Sequence, residues 1–290
     1  MVLPPVAAIP IVEAGCELGE SPVYDDRERT LFWIDGTRGL IYRYVPAVGA
    51  LDTIRVPYAI GCIALRCAGG LVLGMESSFW VLEPDGTLRH LAALPAAESL
   101  PINDGKCDPQ GRFWAGTVAV DDTHLGSLYR LDPPNHVTPV LSDVMLSNGL
   151  GWSPSGRLFY YVDTPTARVD QFEVADAGTL SNRRPLAAIP PSIGVPDGLA
   201  VDVEGGIWVA IWGGGAVHRY LPSGELDRIV TVAASQTSSC TFGGPDLSDL
   251  YITTAREDLS ESELLSQPLA GALFRCNVGI PGLPTNRFAG

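Results

Sequence analysis

Apolar positions along the chain fall in short runs broken by turn residues. Thr30-Leu31-Phe32-Trp33-Ile34 ends at Asp35-Gly36-Thr37-Arg38-Gly39, and Leu40-Ile41-Tyr42-Arg43-Tyr44 follows with polar and apolar residues mixed. Runs this short, rich in aromatic and β-branched residues and bounded by Gly, Asp and Pro, predict strands and tight turns. No long apolar run has a helical period. Only the stretch from Asp258 to Leu265 suggests one or two helical turns, as an insertion.

The runs repeat. Aromatic or apolar anchors at Trp33, Leu73, Trp114, Tyr161, Trp208 and Tyr251 are separated by 40 to 47 residues, the period of a β-propeller blade. Before each anchor stand a short apolar strand and a turn, such as Pro109-Gln110-Gly111 or Pro154-Ser155-Gly156. After it comes a strand such as Gly126-Ser127-Leu128-Tyr129-Arg130-Leu131, then another turn and a last strand. The expected fold is all-β: a six-bladed β-propeller with four antiparallel strands per blade, one domain over residues 1–290. The segment Val6–Val12 is expected as an outer strand of the last blade, closing the ring so that no sheet edge stays open. A β-sandwich or two smaller β domains are the competing architectures, but the units match in order and not only in composition.

Composition narrows the function classes. Among 290 residues, 46% are hydrophobic and 18% charged, which describes a globular chain. The net charge of −14 repels phosphate backbones, so no nucleic-acid partner is expected. It suits a site that attracts a cation. Cys16, Cys62, Cys67, Cys107, Cys240 and Cys276 form no C-x-x-C pair and are read as free, buried thiols. The N-terminal stretch has no basic n-region, and Glu13 and Glu17 interrupt its apolar residues. The expectation is a cytoplasmic protein with no membrane partner, monomeric or weakly homo-oligomeric.

The first strand of each propeller blade lines the axial channel, so residues at one repeat position face one another. Glu20 and Asn148 each precede their anchor by 13 residues, and Asn103 and Asp197 by 11. Two carboxylates and two carboxamides therefore meet at the channel, with Asp104 beside them. Alone, each reads as a turn residue: Gly-Glu-Ser-Pro, Asn-Asp-Gly, Ser-Asn-Gly and Pro-Asp-Gly are common turn strings. Ordinary turns need not recur in register, and these do. No Lys or Arg stands at the aligned positions, and buried like charges are costly. A divalent cation resolves the conflict, since carboxylate and amide oxygens are hard ligands. Nothing else competes for a site. His90, His124, His136 and His218 are scattered, no G-x-S-x-G occurs, and Trp212-Gly213-Gly214-Gly215 is a hairpin turn with no Lys after it.

With these strings in hand, the chain resembles the family of senescence marker protein (regucalcin), gluconolactonase and bacterial sugar-acid lactonases. The matching strings are Gly19-Glu20-Ser21-Pro22, Asn103-Asp104-Gly105-Lys106, Gly111-Arg112-Phe113-Trp114-Ala115-Gly116-Thr117, Ser147-Asn148-Gly149-Leu150, Pro196-Asp197-Gly198 and Cys240-Thr241-Phe242-Gly243-Gly244. They run in order from about Glu13 to Asn277. The resemblance implies hydrolysis of sugar lactones by one divalent metal, calcium first, with zinc, manganese and ferrous iron as alternatives. It implies Glu20, Asn148 and Asp197 as metal ligands and Asp197 also as general base. It places Asn103 against the substrate and the water on the metal, and Asp121 against sugar hydroxyls. Relatives often carry Arg two residues before the Asn of Asn-Asp-Gly. Here that position is Pro101, so the particular sugar does not transfer. The segment Val120–His124 and the turn at Trp212 are expected at the pocket rim. Two other readings fit the same ring: a metal-dependent phosphotriesterase or arylesterase, and a non-enzymatic calcium-binding protein.

Overall fold

The alternation of short strands and turns closes into a ring. In a computed structural model, residues 2–95, 100–121, 123–175 and 177–290 are described. They form six sheets around one axis, each with an antiparallel core of strands, four of them built wholly from consecutive strands. The innermost strands are Gly19–Asp25, Ile60–Leu65, Ile102–Cys107, Ser147–Trp152, Val195–Val201 and Thr237–Gly243, one per blade. Each pairs outward with the strand that bears the anchor. The expected six-bladed propeller is the observed fold.

The N-terminal segment does two jobs. Ile9–Val12 pairs antiparallel with Leu273–Asn277 as the outer strand of the sixth blade, which closes the ring as expected. Val6–Ala7 pairs parallel with Leu226–Thr231 at the outer edge of the fifth blade, which the repeat pattern does not foretell. The expected helical insertion is a single helix, Glu261–Ser266. Ser260 caps it and Glu263 returns the bond to the Ser260 N–H, a reciprocal box that satisfies two end donors.

The anchors are the core. Trp33, Leu73, Trp114, Tyr161, Trp208 and Tyr251 are each at most 1% exposed, and they pack between neighbouring blades. A fully buried apolar side chain of this size contributes about 1.5–3 kcal/mol. Two of the tryptophans also find polar partners: the Trp114 and Trp208 indole N–H groups donate to Asp108 and Asp202 at 2.7 and 2.8 Å. Those aspartates accept turn N–H groups as well, from Gln110 and Arg112 and from Glu204 and Gly206. One Asp thus fixes both the turn and the indole. All six cysteines are free; five are buried as expected, but Cys67 is exposed on a turn.

After the last strand the chain crosses the lower face of the ring. Val203 N donates to Pro281 O, and Gly282 N to Leu247 O. Thr285 Oγ1 donates to Tyr24 O, Asn286 Nδ2 to Cys107 O, and Phe288 N to Leu65 O. Arg287 pairs with Asp25 at 2.6 Å, and Phe288 is fully buried. Residues 281–290 therefore bond to five of the six blades and lie under the axial channel. Among the described residues no helix is long and apolar enough to cross a membrane.

Candidate metal centre

In each blade the pairing of the innermost strand slips once, near its start. The slip lies between Ile102 and Gly105, between Ser147 and Leu150, and between Pro196 and Leu199. Asn103, Asn148 and Asp197 each hold the first position inside it. An extra residue of this kind leaves the ladder and re-aims its side chain. Glu20 differs: it stands one residue earlier, just before the slip that ends at Val23. Ser21 holds the slip position there, in a left-handed conformation (φ 48°), and its N–H donates to Glu20 Oε2 at 2.7 Å. Gly61 and Ser238 hold the slip in the other two blades. The strands crowd at this level. A Cβ on Gly149 would stand 2.5 Å from Asp197 O, so only glycine fits beside Asn148.

These four side chains line one cavity of about 280 Å³ at the upper end of the channel. Leu18, Leu146, Val195 and Trp212 wall it, and Thr164, Glu257 and Asp258 complete it. Both amides are oriented by the protein. Asn103 Nδ2 donates to Ser147 O at 2.8 Å. Asn148 Nδ2 donates to Thr164 Oγ1 at 3.1 Å, and that hydroxyl donates onward to Pro196 O at 2.9 Å. With its proton so committed, Thr164 can only accept, which fixes the Asn148 amide. Among the described residues, neither amide oxygen accepts a hydrogen bond.

The carboxyls strain against each other. Burial, then the Asp104 charge, pushes Glu20 up to about 8. Burial, then Glu20 and Asp104, raises Asp197 well above the usual carboxylate range, opposed by smaller contributions from the Asn148 amide and the Gly198 N–H. Burial raises Asp104 too, while the Lys106 charge acts the other way. The aligned positions hold no Lys or Arg, as expected, but Lys106 stands three residues after Asn103 on the same strand. It lies below the cavity, where its Nζ donates to Leu199 O at 2.6 Å, reaching from the third blade to the fifth. Its charge favours ionised Glu20, but less than burial and Asp104 disfavour it.

A divalent cation fits this donor set. Burial and neighbouring negative charge push both carboxyls toward protonation, and the nitrogens of both amides are committed to other partners. All four are hard oxygen donors. Among the described residues no group of three or more His, Cys, Asp or Glu could hold a metal ion. An ion here would therefore need the Asn148 oxygen as well as the two carboxylates.

The profile of the SMP-30/Gluconolactonase/LRE-like region matches residues 18–256. The chain belongs to this family. Its relatives include regucalcin of Xenopus laevis, 36% identical over 97% of each chain, and a 6-deoxy-6-sulfogluconolactonase of Pseudomonas putida, 37% identical over 97% of this chain and 98% of that one. Among solved structures it resembles a calcium-binding regucalcin of Agrobacterium tumefaciens, at a TM-score of 0.94 and 26% identity over the whole of both chains. A luciferin-regenerating enzyme follows at 0.90 and 28%, over 98% of this chain and all of that one. The family match contains Glu20, Asn103, Asn148 and Asp197 and stops one residue before Glu257.

Asp121 is not brought to this cavity. Its side chain is 52% exposed and accepts from the Thr123 N–H, the Thr123 hydroxyl and the His124 N–H, all within its own turn. Asp122, read with it as part of the rim, lies outside the described residues. Trp212 does stand at the rim, as expected. Three cavity or channel residues escape a repeat-based reading. Lys106 had a usable signal, since it follows Asp104 by two residues and so shares its face of the strand. Glu257 and Asp258 sit in the loop that leads to the inserted helix, where no period applies. Burial, then the charges of Asp258, Glu17 and Asp35, raises the Glu257 carboxyl.

Proposed function

We propose that this family member hydrolyses sugar lactones to the open sugar acids, using a divalent cation held by Glu20, Asn148 and Asp197. The observation that supports it most is the single cavity in which three oriented oxygen donors stand beside Asn103. The lactonase and regucalcin names among its relatives point the same way. Bound there, the ion supplies Lewis-acid polarisation of the lactone carbonyl and stabilises the charge that develops on its oxygen.

The chain's own residues do the rest. Asp197 takes a proton from the attacking water. Its buried setting makes it a stronger base than an exposed aspartate once ionised. Asn103, its nitrogen tied to Ser147 O, turns its oxygen toward that water and fixes its approach. Trp212 offers a flat apolar wall to the sugar ring, and Leu18, Leu146 and Val195 exclude bulk water. The water oxygen adds to the carbonyl carbon, the ring C–O bond then breaks, and the departing alkoxide takes up the proton that Asp197 removed. No role falls to Asp121 in this scheme.

The deciding experiment is lactone opening by Asp197→Ala and Glu20→Ala, followed with a pH indicator over gluconolactone, xylonolactone, arabinonolactone and galactonolactone with added calcium, zinc or manganese. Loss of turnover in both variants, with an unchanged circular dichroism spectrum, supports the proposal. Full activity in either one defeats it. Ion binding with no turnover on any lactone favours the non-enzymatic calcium-binding reading, which the regucalcin relatives keep in view. A phosphotriesterase with a second ion deeper in the channel is disfavoured, because the Lys106 ammonium lies there beside Asp104.

A further inference from the structure

The cavity continues sideways. A second lobe of about 590 Å³ shares Leu18 and Asn103 with the first and reaches Pro101, Ser77 and Glu76. Across both lobes the charged lining residues are Glu20, Asp197, Glu257, Asp258 and Glu76, all acidic; among the described residues neither lobe is lined by a lysine, arginine or histidine. The residues outside the described set include no basic residue either. Glu20 and Asp197 answer to a bound cation. Glu76, Glu257 and Asp258 do not, and among the described residues none of the three forms an ion pair.

The two arginines of the neighbouring loops lie outside both lobes. Arg38 holds Glu17 and Asp35. Arg256, next to Glu257 in sequence, lines a separate pocket with Glu13 and Gln267. The loop is held in place: Glu257 N donates to Glu17 O at 3.0 Å, and Gln236 Nε2 to Glu257 O at 3.4 Å. A substrate seated on Asn103 and Trp212 thus extends its far end into a space edged with uncompensated carboxyls. An uncharged polyol can hydrogen-bond to them. A sulfonate, phosphate or carboxylate substituent meets like charge with no counter-charge to receive it.

We propose that Glu76, Glu257 and Asp258 are specificity-determining residues, which make this cavity accept uncharged sugar lactones and reject lactones carrying a fixed negative group. The inference rests on the lactonase reading and narrows it. It also separates this chain from the relative named for a sulfonated gluconolactone, despite 37% identity. Pro101 belongs to the same pattern, because it lines the second lobe where a basic residue would reverse the local charge.

The test compares kcat/KM for gluconolactone and for 6-deoxy-6-sulfogluconolactone, which share a ring and differ by one charged group, in the full chain loaded with calcium. The expected result is a preference of about ten-fold or more for the neutral lactone, narrowing as ionic strength rises. Glu257→Gln with Asp258→Asn should reduce that preference by several-fold, and Glu76→Lys should reduce it further. Equal or better use of the sulfonated lactone overturns the inference and leaves the lactonase reading standing. A preference that persists unchanged in both variants also overturns it. Failure to open either lactone removes the parent reading, and the inference with it.

Discussion

Lys106 Nζ and Leu199 O lie 2.6 Å apart across the axis, which joins the strand of Asn103 to the strand of Asp197 just below the cavity. The ammonium serves a carbonyl that the blade's own ladder leaves open and places a positive charge beneath the carboxyls. Lys106→Met removes both. Leu199 O then loses its partner in a partly buried place, at a cost of about 1–3 kcal/mol. The expected outcome is a lower urea midpoint for the metal-free protein with an unchanged slope. An unchanged midpoint would show that the contact contributes nothing.

A second prediction concerns pH. Glu20 releases its proton near 4.5 in an unfolded chain and keeps it up to about 8 in the metal-free fold. Between those values the fold binds more protons than the unfolded chain, so its stability falls as pH rises. Asp197 and Asp104 shift in the same direction and add to the slope. A divalent ion binds the ionised groups, so its stabilising effect should grow over the same window. Melting temperatures of EDTA-treated protein at pH 5.5 and 8.5, with and without calcium, measure both trends. Glu20→Gln should flatten the metal-free curve.

The two asparagines should separate by function. Asn148 lines the upper cavity with the two carboxyls, while Asn103 also borders the second lobe. Asn148→Ala should weaken divalent-ion binding by at least about ten-fold, as ligand loss does. Asn103→Ala should leave ion affinity within a few-fold and lower kcat by about a hundred-fold. Calorimetric ion titration and lactone kinetics on the same samples make the comparison. Identical profiles for the two variants would deny them separate roles.

How much of this was legible beforehand depended on periodicity. Trp33, Trp114 and Trp208 mark the blades because a buried ring must recur wherever two sheets pack, and the 40-to-47-residue spacing follows. Asn103, Asn148 and Asp197 share one repeat position in the sequence because the slip in the ladder comes at one place in each blade. Glu20 is offset by one residue, which anchor counting did not resolve; its longer side chain still reaches the same cavity. No period reaches Asp121, which only the resemblance points to, and its own turn holds its oxygens. Glu257, Asp258 and the crossing segment lie in irregular backbone, whose course depends on contacts distant in sequence. Thr285 and Tyr24, 261 positions apart, are one such contact.

A further prediction tests that segment. Phe288 is fully buried among Cys62, Ala64, Phe79 and Phe113, far from the upper cavity. Phe288→Ala should cost about 3–5 kcal/mol of stability. At a temperature where the variant stays folded, its KM for lactone should match that of the parent protein. A melting temperature within a degree of the parent would contradict the packing described here.

The stretch under the ring has a mechanical meaning as well. A propeller fastened only by its N-terminal strand can open at one seam, and a single blade can peel away from there. Here the chain returns beneath five blades and stitches them together on a second plane. Loosening any of those five wedges means tearing two unrelated fastenings at once, so the molecule should resist slow opening far better than its short local contacts suggest.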